Sequence, residues 1–310
     1  MLDSSVLKSI AAHSYAVPAG DSVQRLLPEI TEGLGSPVSD LRETSLDVLW
    51  EWTTRGTLSD DQLVALGEQM VGNLLGGLGE KDTDSVFLRA FSGLIVGLVV
   101  AYDQARFDGE LPGQPFLTRE QVLDWLQRSM IWYQAEADLR GYVTGGKGWA
   151  HAAAHGADML RDMACSRHLG SVERKAILGL SVERLLTPAG LPWLFNECER
   201  LAVAVYAALL RLELEEAELM AWLAPLTRAP GGMSWRSALL DGTRADYEEG
   251  NRARVNVKDF LRSLFFQVKL QARHQDANLI AARRNYMNEV LLPVLEWALM
   301  EVDGGSFYQV

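Results

Sequence analysis

Two histidines four residues apart raise the question of chemistry. His151 and His155 lie in the run Trp149-Ala150-His151-Ala152-Ala153-Ala154-His155-Gly156-Ala157-Asp158, and Asp162 follows a turn later. On a continuous helix, a step of about 100° per residue puts His151, His155, Asp158 and Asp162 at about 0°, 40°, −20° and 20°. That is one narrow polar stripe. Trp149, Ala153, Ala157, Leu160 and Ala164 then form the opposite face, mostly small and suited to close packing on another helix. Imidazoles at i and i+4 can reach one divalent metal ion, and a carboxylate one turn on can complete three ligands. His151, His155 and Asp158 are therefore the candidate metal set. The same residues can move protons, with Asp158 orienting His155. The plain alternative is a stripe hydrogen-bonded to the preceding loop, or to Arg140 and Lys147. The two-histidine pattern of metalloproteases is incomplete, because position 152 is Ala where a general-base Glu would stand.

The residues ahead of this stripe are rich in glycine: Gly145-Gly146-Lys147-Gly148. A helix N-terminus behind such a loop favours anions. The glycine spacing and the Ser/Thr of a P-loop are missing, however, and a tight turn accounts for the glycines equally well.

The elements that must position these residues read as helices almost throughout. Ser59-Asp60-Asp61-Gln62 and Thr118-Arg119-Glu120-Gln121 are capping boxes, in which a hydroxyl accepts an orphan N–H and Gln answers three residues on. Apolar residues then recur at three and four: Leu63, Leu66, Met70 and Leu74 after the first box, and Val122, Trp125, Leu126 and Met130 after the second. No stretch alternates as a strand. The segment Leu201–Leu210 is apolar all round and predicts a buried helix. Trp50, Trp125, Trp222 and Trp297 lie within helical patterns as candidate core anchors. Leu41-Arg42-x-x-Ser45-x-x-Val48-Leu49 is echoed 47 residues on by Leu88-Arg89-x-x-Ser92-x-x-Ile95-Val96. A two-helix period of that length marks HEAT-like repeats. The expected fold is all-α: a HEAT-like α-solenoid of stacked antiparallel helix pairs, with residues 1–310 as a single domain and 303–310 as a tail.

The chain has 310 residues, 48% hydrophobic and 23% charged, the balance of a globular protein. Its formal net charge of −12 repels phosphate backbones and argues against a nucleic-acid partner, including a DNA-binding or glycosylase module. The Arg283-Arg284 pair, with Arg273 nearby, reads as a solvated helix face. Cys165 and Cys198 form no metal-binding spacing and read as two reduced thiols. The N-terminus lacks the basic and apolar regions of a signal peptide. The longest apolar run, Leu94 to Tyr102, is too short to span a bilayer. The expected location is the cytoplasm, with no membrane association.

Several blocks are similar to a bacterial family, the domain of unknown function family 2785. They are Val86-Phe87-Leu88-Arg89-Ala90-Phe91-Ser92, Glu136-Ala137-Asp138-Leu139-Arg140-Gly141-Tyr142-Val143, Lys147-Gly148-Trp149-Ala150-His151, Ala154-His155-Gly156-Ala157-Asp158 and Glu199-Arg200-Leu201-Ala202. The resemblance runs from about residue 20 to about residue 300. It implies an all-helical, HEAT-like fold and a bacterial source, and it implies no activity. It draws attention to Arg140, Trp149, His151, His155 and Asp158. Polar groups near Arg89 and near Glu197, Glu199 and Arg200 read first as inter-repeat ion pairs. If they converge with the histidines, the candidate pocket comprises Arg89, Glu136, Asp138, Arg140, Lys147, Trp149, Glu199 and Arg200. Two functions follow. One is a scaffold holding a protein or peptide on a helical surface. The other is an acid–base or divalent-metal enzyme, or a ligand-binding protein, built on His151, His155 and Asp158.

Overall fold

Helix starts follow the local chemistry. In the computed structural model, which describes residues 4–187, 192–271 and 277–303, Ser59 and Thr118 each accept the backbone N–H three residues on at 3.3 Å, and Gln62 and Gln121 return the bond at 2.9 Å. Both capping boxes are therefore formed. The described residues are mostly helical, and the chain divides into two compact units, residues 1–168 and 169–310.

The first unit comprises α1 (Ser4–Ala12), α2 (Val23–Gly33), α3 (Ser39–Thr54), α4 (Asp60–Asn73), α5 (Ser85–Phe107), α6 (Arg119–Ala135), a ribbon of β1 (Tyr142–Val143) and β2 (Gly148–Trp149), and α7 (Ala152–Cys165). The ribbon is antiparallel, with Tyr142 opposite Trp149 and Val143 opposite Gly148. It corrects the expectation of no strand: two residues a side are too few for alternation to register.

Helix α5 is the spine of this unit and packs on α3, α4, α6 and α7. The apolar run Leu94–Tyr102 is only part of it. Over its full length α5 is long and apolar enough to cross a membrane, and 78% of its apolar window is buried inside the protein. Burial on every side explains that composition without a bilayer. Its closest neighbour is α7, and Gly97 sets the approach. A Cβ there would lie 3.1 Å from the Met159 Cα and 2.8 Å from Asp162 Oδ2. The indole that fills the α1–α3 core is Trp52, which is fully buried and donates through Nε1 to the Tyr15 carbonyl at 2.8 Å. Trp50, expected in the core, is 43% exposed, whereas Trp125 is buried as expected. Two residues apart on a helix are about 200° apart, so Trp50 and Trp52 face opposite ways.

The second unit comprises α8 (Ser171–Leu186), α9 (Glu197–Leu210), α10 (Glu216–Leu223), a 3-10 turn (Ala224–Thr227), α11 (Trp235–Leu240), α12 (Tyr247–Lys269), α13 (Ala277–Ala282), α14 (Arg284–Tyr286), a π turn (Met287–Leu291) and α15 (Leu292–Asp303). Helix α9 contains the apolar run and is buried nearly throughout, packed between α8 and α12. Trp222 and Trp297 are half-buried here. Asn256 on α12 ties down the approach to α9: its Oδ1 accepts the Trp193 N–H at 2.9 Å, and its carbonyl accepts from Cys198 Sγ at 3.3 Å. Neither cysteine forms a disulfide among the described residues. Asp303 is not the start of a tail but the buried end of α15. It accepts from Arg254 at 3.2 Å and pairs with Lys258 and Arg262. Residues 304–310 and Arg273 lie outside the described residues.

Candidate functional site

The histidine stripe begins with a correction to the helix that carries it. Helix α7 starts at Ala152, so Trp149 lies on β2 and His151 is the N-cap residue, in the left-handed region at φ 54°, ψ 33°. That conformation costs a non-glycine residue about 1–2 kcal/mol and persists only where its surroundings hold it. The hold comes from the ribbon, whose pairing continues past its strands: the Ala150 N–H donates to the Gly141 carbonyl at 2.9 Å and the His151 N–H to the Arg140 carbonyl at 3.0 Å. Gly145 and Gly146, both at positive φ, form the turn, which answers the anion-loop question in favour of a hairpin.

Five rings then run from surface to core. The Tyr142 and Trp149 rings meet edge to face at 5.2 Å, across the strand pair. Trp149 stacks on His151 at 4.8 Å, His151 lies 5.6 Å from His155, and His155 meets Phe91 edge to face at 5.0 Å. Tyr142 is 53% exposed and Trp149 38%, whereas His151 and His155 are buried. The two histidines do come together. Asp158 lies a turn further along α7, with Arg161 at 3.9 Å. Asp162 accepts from Arg161 at 2.9 and 3.1 Å. Burial raises its carboxyl to about 6, against the pull of Arg161 and with help from Asp158. Among the described residues, no group of three or more His, Cys, Asp or Glu side chains is placed to hold a metal ion.

Under the hairpin, Arg89, Glu136 and Asp138 form a buried network, with the half-buried Arg140 at its edge and a part-exposed Lys147–Asp84 pair beside it. Arg89, fully buried, donates to Glu136 from Nε at 2.6 Å and from Nη2 at 3.0 Å. Its Nη1 donates to the Gly76 and Gly77 carbonyls and to Ser85 Oγ. Glu136 also accepts the Trp132 indole and the Asp138 N–H, each at 2.9 Å. Asp138 accepts from Arg140 Nη2 at 2.6 Å and from the Asp82 N–H at 3.0 Å, and Arg140 reaches the Thr83 carbonyl at 2.7 Å. Lys147 donates to Asp84 at 2.6 and 2.9 Å. Arg140 and Lys147 thus bond to carboxylates of the loops, and Arg89 pairs with Glu136.

Glu199 and Arg200 lie at the first turn of α9 in the second unit, Glu199 exposed and Arg200 half-buried. Their neighbour Glu197 is buried and accepts the Phe195 N–H at 2.6 Å, and burial raises its carboxyl.

Two contributors escaped the sequence reading. Arg42, fully buried, lies 4.1 Å from the Phe87 ring centre and 4.9 Å from that of Phe91. It donates to the carbonyls of Ser36, Lys147 and Trp149. Its alignment with Arg89 in the internal repeat was the available signal. Tyr142 is the other, marked by the β-prone pair Tyr142-Val143 ahead of the double glycine Gly145-Gly146.

These features define an all-helical protein with one exposed aromatic hairpin seated on a buried arginine–carboxylate network. The chain belongs to the family described as Protein of unknown function (DUF2785), whose model matches residues 74–266, a stretch that holds the hairpin, the Arg89–Glu136 pair and both histidines. No curated protein and no solved structure matches the chain.

Proposed function

We propose that this protein is a cytoplasmic binding module of HEAT-like, helix-pair design that takes a peptide segment of a protein partner on the Tyr142–Trp149 hairpin. One observation carries the reading. A buried arginine–carboxylate network and a left-handed His151 hold two large aromatic side chains, Tyr142 and Trp149, at the surface. Tyr and Trp offer wide, rigid contact area at low entropic cost and are enriched in the centres of protein interfaces. The network beneath keeps the hairpin in place before any partner arrives, which lowers the cost of binding. The helix-pair reading is supported by the pairs α2/α3, α4/α5 and α6/α7, with α3 and α7 flanking α5. It is further supported by the like roles of Arg42 and Arg89, each buried and each donating to loop carbonyls.

The test is fluorescence anisotropy with short labelled peptides of basic, acidic, neutral and apolar composition, on the wild type and on Tyr142→Ala/Trp149→Ala. Circular dichroism confirms the fold of the variant. Binding that the folded variant loses supports the reading; binding that both proteins share equally refutes it.

A second reading, acid–base or divalent-metal chemistry, is favoured by the closeness of the His151 and His155 rings in a buried position. Elemental analysis beside His151→Ala/His155→Ala tests it. Near-stoichiometric metal in the wild type, absent from a folded variant, supports the metal site; no metal in either ends it.

A further inference from the structure

The charge of the chain is not evenly spread. Residues 1–168 hold 23 Asp and Glu against 13 Lys and Arg, a formal net charge of −10 out of −12 for the whole chain. The hairpin lies in that acidic unit and rests on the first turn of α3. The Ser39 N–H donates to the Gly146 carbonyl at 3.4 Å, and Arg42 reaches the Lys147 and Trp149 carbonyls. Along α3, Ser39 is followed at one-turn spacing by Glu43 and Asp47, so carboxylates continue the strip that begins under the hairpin.

These two carboxylates are poorly compensated. Glu43 Oε1 accepts no hydrogen bond, and its nearest cation, Arg42, is 3.8 Å away and already bonded to three carbonyls. Asp47 has no hydrogen bond or ion pair among the described residues, and burial together with the like charge of Glu51 raises its carboxyl. On the other side of the ribbon's base, Asp82 is 83% exposed but pairs with Arg140 at 3.6 Å, so the uncompensated carboxylates are Glu43 and Asp47. An aromatic pair beside under-neutralised carboxylates has a specific complement. A cation gains from the faces of Trp and Tyr rings and from nearby negative charge at once, whereas an acidic ligand would be repelled.

We propose that the hairpin takes a basic, extended segment, with a Lys or Arg side chain against the Tyr142 and Trp149 rings and neighbouring cations directed to Glu43 and Asp47. This rests on the hairpin being the recognition element. The aromatic pair supplies the contact, and the acidic strip supplies selection and attraction at a distance.

The experiment uses the full chain and three labelled probes: an Arg-Gly-Ser repeat peptide, the same peptide with citrulline for Arg, and an apolar peptide of equal length. The expected result is that the Arg peptide binds at least about tenfold more tightly than the citrulline peptide, the scale of one desolvated cation–ring contact. Its affinity should fall as salt rises. Tyr142→Ala/Trp149→Ala should weaken it about tenfold, with Trp149→Phe recovering part of the loss. Glu43→Gln/Asp47→Asn should weaken the Arg peptide by several-fold and leave the citrulline peptide unchanged. Equal binding of the Arg and citrulline peptides, or indifference to Glu43→Gln/Asp47→Asn, overturns the inference. If the apolar peptide binds through the hairpin and the Arg peptide does not, the inference fails while the binding module stands. If no probe depends on the hairpin, both fail.

Discussion

Replacing Glu136 with Leu tests the network beneath the hairpin at its most connected point. The carboxylate takes two bonds from Arg89, one from the Trp132 indole and one from the Asp138 N–H. Both Arg89 and Glu136 are essentially excluded from water. Removing one partner of such a pair leaves a buried charge uncompensated, which costs about 3–5 kcal/mol. The orphaned indole and amide N–H groups lie within the same network, so their own penalties of about 1–3 kcal/mol each do not simply add. The expected loss is therefore about 3–5 kcal/mol in the first unit. For a unit of this size, about 2–4 °C per kcal/mol converts this to a fall in midpoint of roughly 6–20 °C. Differential scanning calorimetry and urea unfolding, followed on fragments protected by the first unit in hydrogen exchange, measure it. The double variant Arg89→Met/Glu136→Leu removes both charges and should recover most of the loss, since an apolar pair of similar volume is often as stable as the ion pair. A loss below about 1 kcal/mol for Glu136→Leu, or no recovery in the double variant, would refute the reasoning.

Asp162 makes stability depend on pH. Its carboxyl is raised from 3.8 to about 6 in the folded chain, so its contribution is fully present below about pH 4 and is lost as pH rises through 6. Asp162→Asn should flatten urea stability between about pH 4 and 7 and raise it at neutral pH by at most about 3 kcal/mol. At the α5–α7 seam, Gly97→Ala puts a Cβ 3.1 Å from the Met159 backbone; it should cost about 1–3 kcal/mol in thermal unfolding, because backbone cannot yield as a side chain does. Ser59→Ala removes the hydroxyl that accepts the Gln62 N–H and should cost about 1 kcal/mol, whereas Ser59→Asp should cost little.

Some of this architecture is written in near neighbours. The boxes at Ser59 and Thr118 close over three residues, so the bonds that start α4 and α6 depend on almost nothing else. The buried course of α9 is equally legible, because a run apolar on every side has no stable place in water. The repeat around Arg42 and Arg89 also marks two positions that share burial and role. What stayed hidden depends on the path of the chain. Arg89 meets Glu136 across 47 residues and Lys147 meets Asp84 across 63, and in each case nearer residues of suitable charge are passed over. The helical stripe drawn through His151 assumed a continuous helix. The ribbon instead holds His151 in a left-handed turn and moves Trp149 onto a strand. Periodicity reports which faces are apolar, but a two-residue ribbon has too few residues to show a period. Its existence and the exposure of Tyr142 and Trp149 are decided by the arginines and carboxylates that the tertiary fold brings beneath it.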